Sequence, residues 1–389
     1  MRQFNPEKFM YNRRTFIQTV SQQVAYSVLA ANGLYTLSSC GNSASKEEKK
    51  QAEKDSEKNK GKLGIALVGL GKYSEEQLAP ALKETQNCYL AGIVTGTPDK
   101  IDKWKRKYDI PDKNIYSYDN FDSIKDNPDI DIIYVVLPNS MHAEYTERAF
   151  AAGKHVICEK PMALTVEECD RMIAASKKAG KMLSIGYRLH FEPYNVEMMR
   201  LGADKPFGSI KSLKAENGMN GTEGWRLDKK LAGGGPLPDV GVYCIQGIRY
   251  TTGMEPIAVR AQEGPKKDKE MFKEVEASLS WQMEMPGGVI AHCKSSYEED
   301  MNLLRADAEK GWFELSPAYP YSGQKGETSQ GKMDFPKVNQ QALQMDNFAQ
   351  SIIDKRPTPV PGEMGRQDVK IINAIYEAME TGKRVVIPA

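Results

Sequence analysis

The sequence predicts an α/β chain in two parts, an N-terminal doubly wound parallel sheet and a C-terminal α+β domain on an open, largely antiparallel sheet. Three observations carry this. From Leu63 to Gly186, short apolar runs alternate with helical stretches, the order that parallel strands require because each must cross back over the sheet. The first run, Leu63 to Val68, feeds into Gly69-Leu70-Gly71, a turn bare enough for backbone N–H groups to approach a phosphate. Further on, Glu274 to Met285 and Val289 to Ser295 flank Pro286-Gly287-Gly288, a hairpin signal.

In the first part, Tyr89 to Val94, Ile130 to Leu137, His155 to Cys158 and Met182 to Gly186 read as the following strands. Ser140 to Ala152 reads as a helix stopped by Gly153, and Thr165-Val166-Glu167-Glu168 has the form of a capping box opening a helix to Lys178. Ser74 stands where a dinucleotide fingerprint has its third glycine. The second strand ends in Val94-Thr95-Gly96-Thr97-Pro98-Asp99-Lys100. No carboxylate stands at that tip to hold ribose hydroxyls, whereas Thr95, Thr97 and Lys100 suit a 2′-phosphate, which favours NADP over NAD. The other reading is that Asp99 caps the next helix and the site takes either nucleotide.

The strand through Cys158 ends in Glu159-Lys160-Pro161, with Lys160 at the carboxyl edge where such sheets bind ligands. Beside a bound cation, a lysine there loses basicity and becomes an acid/base or hydrogen-bonding group. The plainer reading is a surface Glu-Lys pair before a loop proline. Tyr187-Arg188-Leu189-His190 follows the last parallel strand, so Arg188 and His190 fall near the cleft, His190 as a substrate contact or a structural imidazole. In Leu231 to Tyr243, Gly233, Gly234 and Gly235 let backbone approach a ligand, and Asp239 and Tyr243 are spaced to share a helix face. Taken alone, that pair is also ordinary helix decoration. Pro256 to Gln262 and Trp312 to Leu315 complete the antiparallel strands, and helices at Gln341 to Asp354 and Gln367 to Glu380 close the chain.

The 53 Lys and Arg against 52 Asp and Glu leave a net charge of +1, so no bulk charge points to nucleic acid. Cys40, Cys88, Cys158, Cys169, Cys244 and Cys293 show no metal-ligand spacing, and no metal is expected. Asn12-Arg13-Arg14-Thr15-Phe16-Ile17 reads as a twin-arginine start, and Leu37-Ser38-Ser39-Cys40 as a lipidation signal at Cys40. The alternative is an amphipathic helix with a chance Arg-Arg. The intervening run contains Gln22, Gln23 and Asn32, too polar for a stable span. The organisation is then a signal over 1–40, a charged tether over 41–62, a dinucleotide domain over 63–186 and an α+β substrate and dimerisation domain over 187–389. The chain is expected to be exported and lipid-anchored in the periplasm or cell envelope.

Together these motifs resemble the Gfo/Idh/MocA oxidoreductase family, and within it the glucose–fructose oxidoreductase branch, from Gly64 to Gly382. The carrying stretches are Gly69 to Tyr73, Leu137 to Glu144, Gly153 to Met162, Gly186-Tyr187-Arg188, Trp225-Arg226-Leu227, Leu231 to Gly235 and Pro361 to Val369. Most members have histidine where Tyr243 stands, and tyrosine there matches that branch. The resemblance implies that Lys160 and Tyr243 hold the reacting hydroxyl or carbonyl, with Tyr243 as acid/base and Asp239 orienting sugar and Lys160. It implies a cis Lys160–Pro161 bond. It also implies NADP contacts from Gly69, Leu70, Gly71, Lys72, Tyr73, Thr95, Lys100, Tyr118, Leu137, Pro138, Asn139, His142, Glu159, Lys160, Arg188, Trp225 and Arg226. Substrate contacts would be Lys160, His190, Asp239 and Tyr243, and the oligomer a homodimer or larger. The branch's proline-rich N-terminal arm is replaced here by the charged stretch Ser43 to Lys62. The activity expected is transfer of hydride from an aldose C1 to tightly bound NADP and back to a second carbonyl sugar. The alternatives are a nicotinamide-assisted glycoside hydrolase and a non-enzymatic sugar or nucleotide sensor.

Overall fold

The structure, a computed structural model, describes residues 59–388. The twin-arginine stretch, Cys40 and the tether as far as residue 58 lie outside the described residues. Six parallel strands form the first sheet: β1 (Leu63–Val68), β2 (Cys88–Val94), β3 (Ile115–Tyr116), β4 (Ile132–Val135), β5 (His155–Cys158) and β6 (Leu183–Ile185), in the order β3-β2-β1-β4-β5-β6. Alternate residues of the central strands feed two cores. Ala66, Val68, Ile133, Val135, Val156 and Cys158 face the helices His142–Ala151 and Val166–Ala179. Ile65, Leu67, Ile132, Tyr134 and Ile157 face the other way. The capping box at Thr165 forms as read, with Glu168 returning the bond.

The second core crosses the sequence boundary placed at residue 187. Helix Gln340–Ile353 buries Ala342, Met345, Phe348 and Ala349 against the parallel sheet, not the antiparallel one. Each large side chain of that stripe contributes about 1.5–3 kcal/mol by burial. From the same helix, Asp346 accepts from the backbone N–H groups of Gln86 and Asn87, just ahead of β2, at 2.9 and 2.8 Å. The boundary therefore divides the sequence but not the packing.

The second sheet has nine strands: β7 (Ile210–Asn220), β8 (Ala258–Glu263), β9 (Ser278–Glu284), β10 (Ile290–Ser296), β11 (Glu298–Ala308), β12 (Gly311–Leu315), β13 (Gly326–Thr328), β14 (Gly331–Lys332) and β15 (Val385–Val386). All pairings are antiparallel except β7 with β10. The hairpin around Pro286–Gly288 is β9–β10, although β9 begins at Ser278 rather than Glu274. Helices Pro193–Asp204, Val242–Thr252 and Gly362–Thr381 pack on the sheet. The last starts five residues before the position read from the sequence.

Cys88, Cys158, Cys169, Cys244 and Cys293 are free and buried, acting as small apolar side chains. His155 is a pH-sensitive joint of the first sheet. Its Nδ1 accepts from the Met182 N–H at 3.0 Å, and burial, then the Lys181 charge, pull its pKa to about 4. The unfolded chain therefore takes up this proton first, so stability is lost as pH falls from about 6.5 towards 4. Asn keeps an acceptor without titrating. Between those pH values, wild type is expected to lose about 1.4 kcal/mol more per pH unit than His155→Asn, measured by denaturant unfolding.

Candidate active site

The strand order reverses between β1 and β4, and the turns that follow them press together. A Cβ on Gly69, whose φ is +94°, would sit 2.3 Å from the Val136 carbonyl oxygen. A Cβ on Gly71 would meet no atom within 4 Å, so that side of the turn is open. Ser74 donates its hydroxyl to Gly69 O at 2.6 Å, tying the turn to the helical stretch over 72–81, which widens into a π-helical turn at Ser74–Leu78. Lys100 donates to Leu70 O at 2.7 Å, and Thr95 Oγ1 accepts from the Thr97 N–H at 3.1 Å. The Tyr118 ring covers Gly96, where a Cβ would come within 2.7 Å of it. Lys72 reaches across to Glu223 at 2.8 Å.

Gly69, Leu70, Gly71, Lys72, Tyr73, Thr95, Lys100 and Tyr118 thus gather at one sheet edge. A bare turn with an open flank, a lysine and an aromatic face fit a nicotinamide dinucleotide. Behind it, Asn139 donates to Ala232 O at 2.8 Å, joining the turn after β4 to the glycine-rich loop. Met141 N–H donates to Pro138 O. His142 is fully buried beneath this turn, its two ring nitrogens 2.8 and 2.9 Å from the carbonyls of Pro161 and Leu137. That places it as a brace between the two motifs, away from any ligand surface.

The second group converges on Lys160, which follows β5 and precedes Pro161 across a cis bond. Lys160 Nζ donates to Asp239 O at 2.5 Å, lies 3.3 Å from Asp239 Oδ1, and sits 4.8 Å from the centroid of the Tyr243 ring. The backbone carrying Asp239 is a π-helical turn, Leu237–Gly241, that passes into helix Val242–Thr252. Both side chains still meet Lys160, so the expected shared face survives the wider turn. Asp239 Oδ2 accepts from Arg226 Nε at 2.8 Å and from the Tyr297 hydroxyl at 2.9 Å. Burial works against this carboxylate, but Lys160 and Arg226 hold it at about 2.

Burial likewise disfavours the Lys160 ammonium, yet Tyr243, Asp239 and Glu159 raise its pKa above the ordinary value. The lysine is therefore a cationic donor. The sequence reading, which lowered its basicity by a neighbouring bound cation, did not include Asp239 and Glu159. Glu159 is buried, accepts from Tyr134 at 2.7 Å, and is pushed above the usual carboxylate range by burial. A side chain on Gly186 would strike it at 2.5 Å.

Arg188 is buried and donates to Gln340 and to the carbonyls of Tyr319 and Pro320. Its guanidinium lies over the rings of Tyr243 and Tyr321, at 5.0 and 4.6 Å, while its Nε is buried with no hydrogen-bond partner among the described residues. Tyr321 also stacks on Tyr73 at 5.7 Å, linking the dinucleotide turn to the second domain. Trp225 carries the Arg226 guanidinium over its ring at 4.8 Å. His190 lines a small cavity with Lys160, Tyr187, Tyr243, Gln246 and Tyr250.

Sequence reasoning missed Tyr297, Tyr321 and Gln246. The aromatic run Tyr319-Pro320-Tyr321 was a usable signal. Tyr297, 58 positions from Asp239, offered none. It also missed Glu276, which accepts from the N–H groups of Gly235 and Leu237 and from Tyr376, fixing the glycine-rich loop.

Comparison with known proteins agrees with this architecture. Residues 63–187 match the oxidoreductase family with an NAD-binding Rossmann fold, and residues 196–314 match the GFO/IDH/MocA C-terminal domain. The crystal structure of aldose-aldose oxidoreductase from Caulobacter crescentus, complexed with glycerol, superposes with a TM-score of 0.81 at 41% identity, over 84% of this chain and 99% of that one. D-xylose 1-dehydrogenase [NADP(+)] of Haloarcula marismortui is 27% identical over 336 residues, 82% of this chain and 92% of its own. D-glucoside 3-dehydrogenase of Escherichia coli is 25% identical over 83% of this chain and 97% of its own. With both domains matched in order around one cleft, the chain belongs to the Gfo/Idh/MocA oxidoreductase family.

Proposed function

We propose that this protein is an NADP-dependent sugar oxidoreductase that oxidises an aldose at C1 and returns the hydride to a second carbonyl sugar. The observation that carries the reading is the meeting of Lys160, Asp239 and Tyr243 beside the dinucleotide turn. The similarity to an aldose-aldose oxidoreductase and to an NADP-dependent xylose 1-dehydrogenase supports it. When bound, the nicotinamide supplies the hydride acceptor and donor. The residues handle the proton and the charge. Tyr243, entering as the phenolate, takes the proton from the C1 hydroxyl as the C–H bond breaks; as the resulting neutral phenol it gives that proton to the second sugar's carbonyl oxygen in the return step. Lys160, held cationic, stabilises the phenolate before proton transfer and the negative charge that builds on the sugar oxygen during it. Asp239, ionised and clamped by Arg226 and Tyr297, fixes where that cation stands.

Export and lipidation at Cys40 are part of the same proposal. Outside the cytoplasm there is no pool of nucleotide, so a retained cofactor must be recycled in place, whereas the twin-arginine route carries folded, loaded proteins. The open face of the second sheet is the proposed dimer surface. The test is to incubate the purified protein with one aldose and a second carbonyl sugar without added nucleotide, then quantify products. Equal amounts of aldonolactone and reduced sugar are expected. Oxidised sugar formed only in proportion to added NADP would defeat the reading. Similarity to a glucoside 3-dehydrogenase favours a second reading, oxidation at C3. Methyl glucoside, blocked at C1, should be inert under the first reading and oxidised under the second. For the cofactor, Lys100→Ala is expected to lower the preference for NADP over NAD by about tenfold, the scale of one lost charge-assisted bond, measured by titrating both nucleotides.

A further inference from the structure

A chain of contacts leads from the small cavity beside Lys160 and Tyr243 into the second domain. Asp368 is fully buried in helix Gly362–Thr381. Its Oδ1 accepts from Arg249, and its Oδ2 accepts from the Tyr187 hydroxyl and from Gln246 Nε2. Arg249 also pairs with Glu255 at 2.7 Å. Burial pushes the Asp368 carboxyl up, with Arg249 opposing. Protonating it would sacrifice one of its accepted bonds and strip the guanidinium of a partner, so these contacts fit the carboxylate.

That carboxylate decides which way Gln246 faces. An amide presents only its N–H side to a carboxylate, so Oε1 points away, 2.9 Å from His190 Nε2. Only an N–H satisfies that oxygen, which places the imidazole proton on Nε2. Nδ1 is then a lone-pair acceptor, and it has no hydrogen-bond partner among the described residues. Burial pulls His190 to about 4, against the bond to Gln246 and helped by the Arg249 charge. The ring is otherwise framed by Tyr187 at 6.0 Å and, edge-on, by Tyr250 at 5.4 Å. His190 shares its cavity with Lys160 and Tyr243.

We infer that Asp368, acting through Gln246, fixes His190 as the Nε2–H tautomer, so that Nδ1 accepts a hydrogen bond from a hydroxyl of a sugar seated beside Lys160 and Tyr243. His190 is thereby a specificity-determining contact, and Gln246 and Asp368 are positioning residues. The tautomer stands on hydrogen-bond chemistry alone, whereas the ligand rests on the function proposed above. A sugar with hydrogen or fluorine at the recognised position cannot donate and leaves Nδ1 unpaired.

The first test is ¹⁵N spectroscopy of the full chain labelled at its 4 histidines, with His190 assigned by the signal lost in His190→Asn. At pH 7 the Nε2–H tautomer is expected, and Gln246→Leu should abolish the bias. An Nδ1–H tautomer or an imidazolium in wild type overturns the inference. The second test reads affinity for monodeoxy and deoxyfluoro sugars, which needs no turnover. Wild type should bind one analogue about tenfold or more weakly than the parent, and His190→Leu should shrink that ratio to about twofold or less at that position only. Unchanged ratios at every position, in a variant with wild-type thermal stability, overturn the specificity role. Sugar binding without turnover would remove the proposed reaction and leave this contact standing. Failure to bind any sugar would defeat both.

Discussion

Replacing Tyr243 by phenylalanine is expected to lower turnover by about 10²–10⁴-fold, the range for losing a positioned acid/base. Nucleotide affinity should stay within about twofold, because the variant keeps everything except the hydroxyl. The ring would still stack on Tyr319 at 6.0 Å and lie beneath Lys160 and Arg188. Single-turnover rates with nucleotide preloaded separate the two effects. A loss confined to KM would mean that the phenol only binds. Tyr243→His should retain more activity than the phenylalanine variant, because imidazole also moves a proton.

Replacing Asp239 by asparagine should affect both stability and turnover. The change leaves Lys160 and Arg226 facing a neutral amide, with Lys160 and Asp239 only 12% and 14% exposed. Loss of about 2–3 kcal/mol is expected at neutral pH, moderated by the more exposed Arg226, with turnover reduced by about 10²-fold. The pH dependence identifies the cause. Asp239 is held at about 2, below its unfolded value near ~3.9, so its contribution is full above about pH 4 and disappears as pH falls towards 2. The stability gap between wild type and variant, from denaturant unfolding, should close over that interval. A gap that stays constant down to pH 2 would assign the loss to packing.

What could be read in advance was local. Gly69 to Ser74, Glu159-Lys160-Pro161 and Leu231 to Tyr243 each put chemistry and backbone need into a few consecutive residues, so their place at the cleft was legible. The two longest strands were not. β7 and β11 carry Lys211, Lys214, Glu216, Glu298, Glu299, Asp300, Arg305 and Asp307, and among their apolar side chains only Leu213 and Ala215 in one, Leu304 and Ala306 in the other, are fully buried. Lys214, Glu216, Arg305 and Asp307 alternate with those buried residues, and Arg305 pairs with Glu314 at 2.8 Å, an arrangement a propensity reading counts as loop. The clamp on Asp239 and the link from His190 to Asp368 join residues far apart in sequence, where no local pattern reports a contact. Helix Gln340–Ile353 showed its amphipathic period, but nothing in it said which sheet it would cover.

The central claim is that bound nucleotide is recycled between two sugars at one site. The most direct measurement is to purify residues 46–389 with cofactor bound, add glucose alone, and follow reduced-nicotinamide absorbance before and after adding fructose. A rise of one equivalent per site, followed by its loss on the second addition with no nucleotide supplied, is the predicted result. No rise with any aldose while cofactor is demonstrably bound, or a rise that only fresh NADP resets, would contradict it.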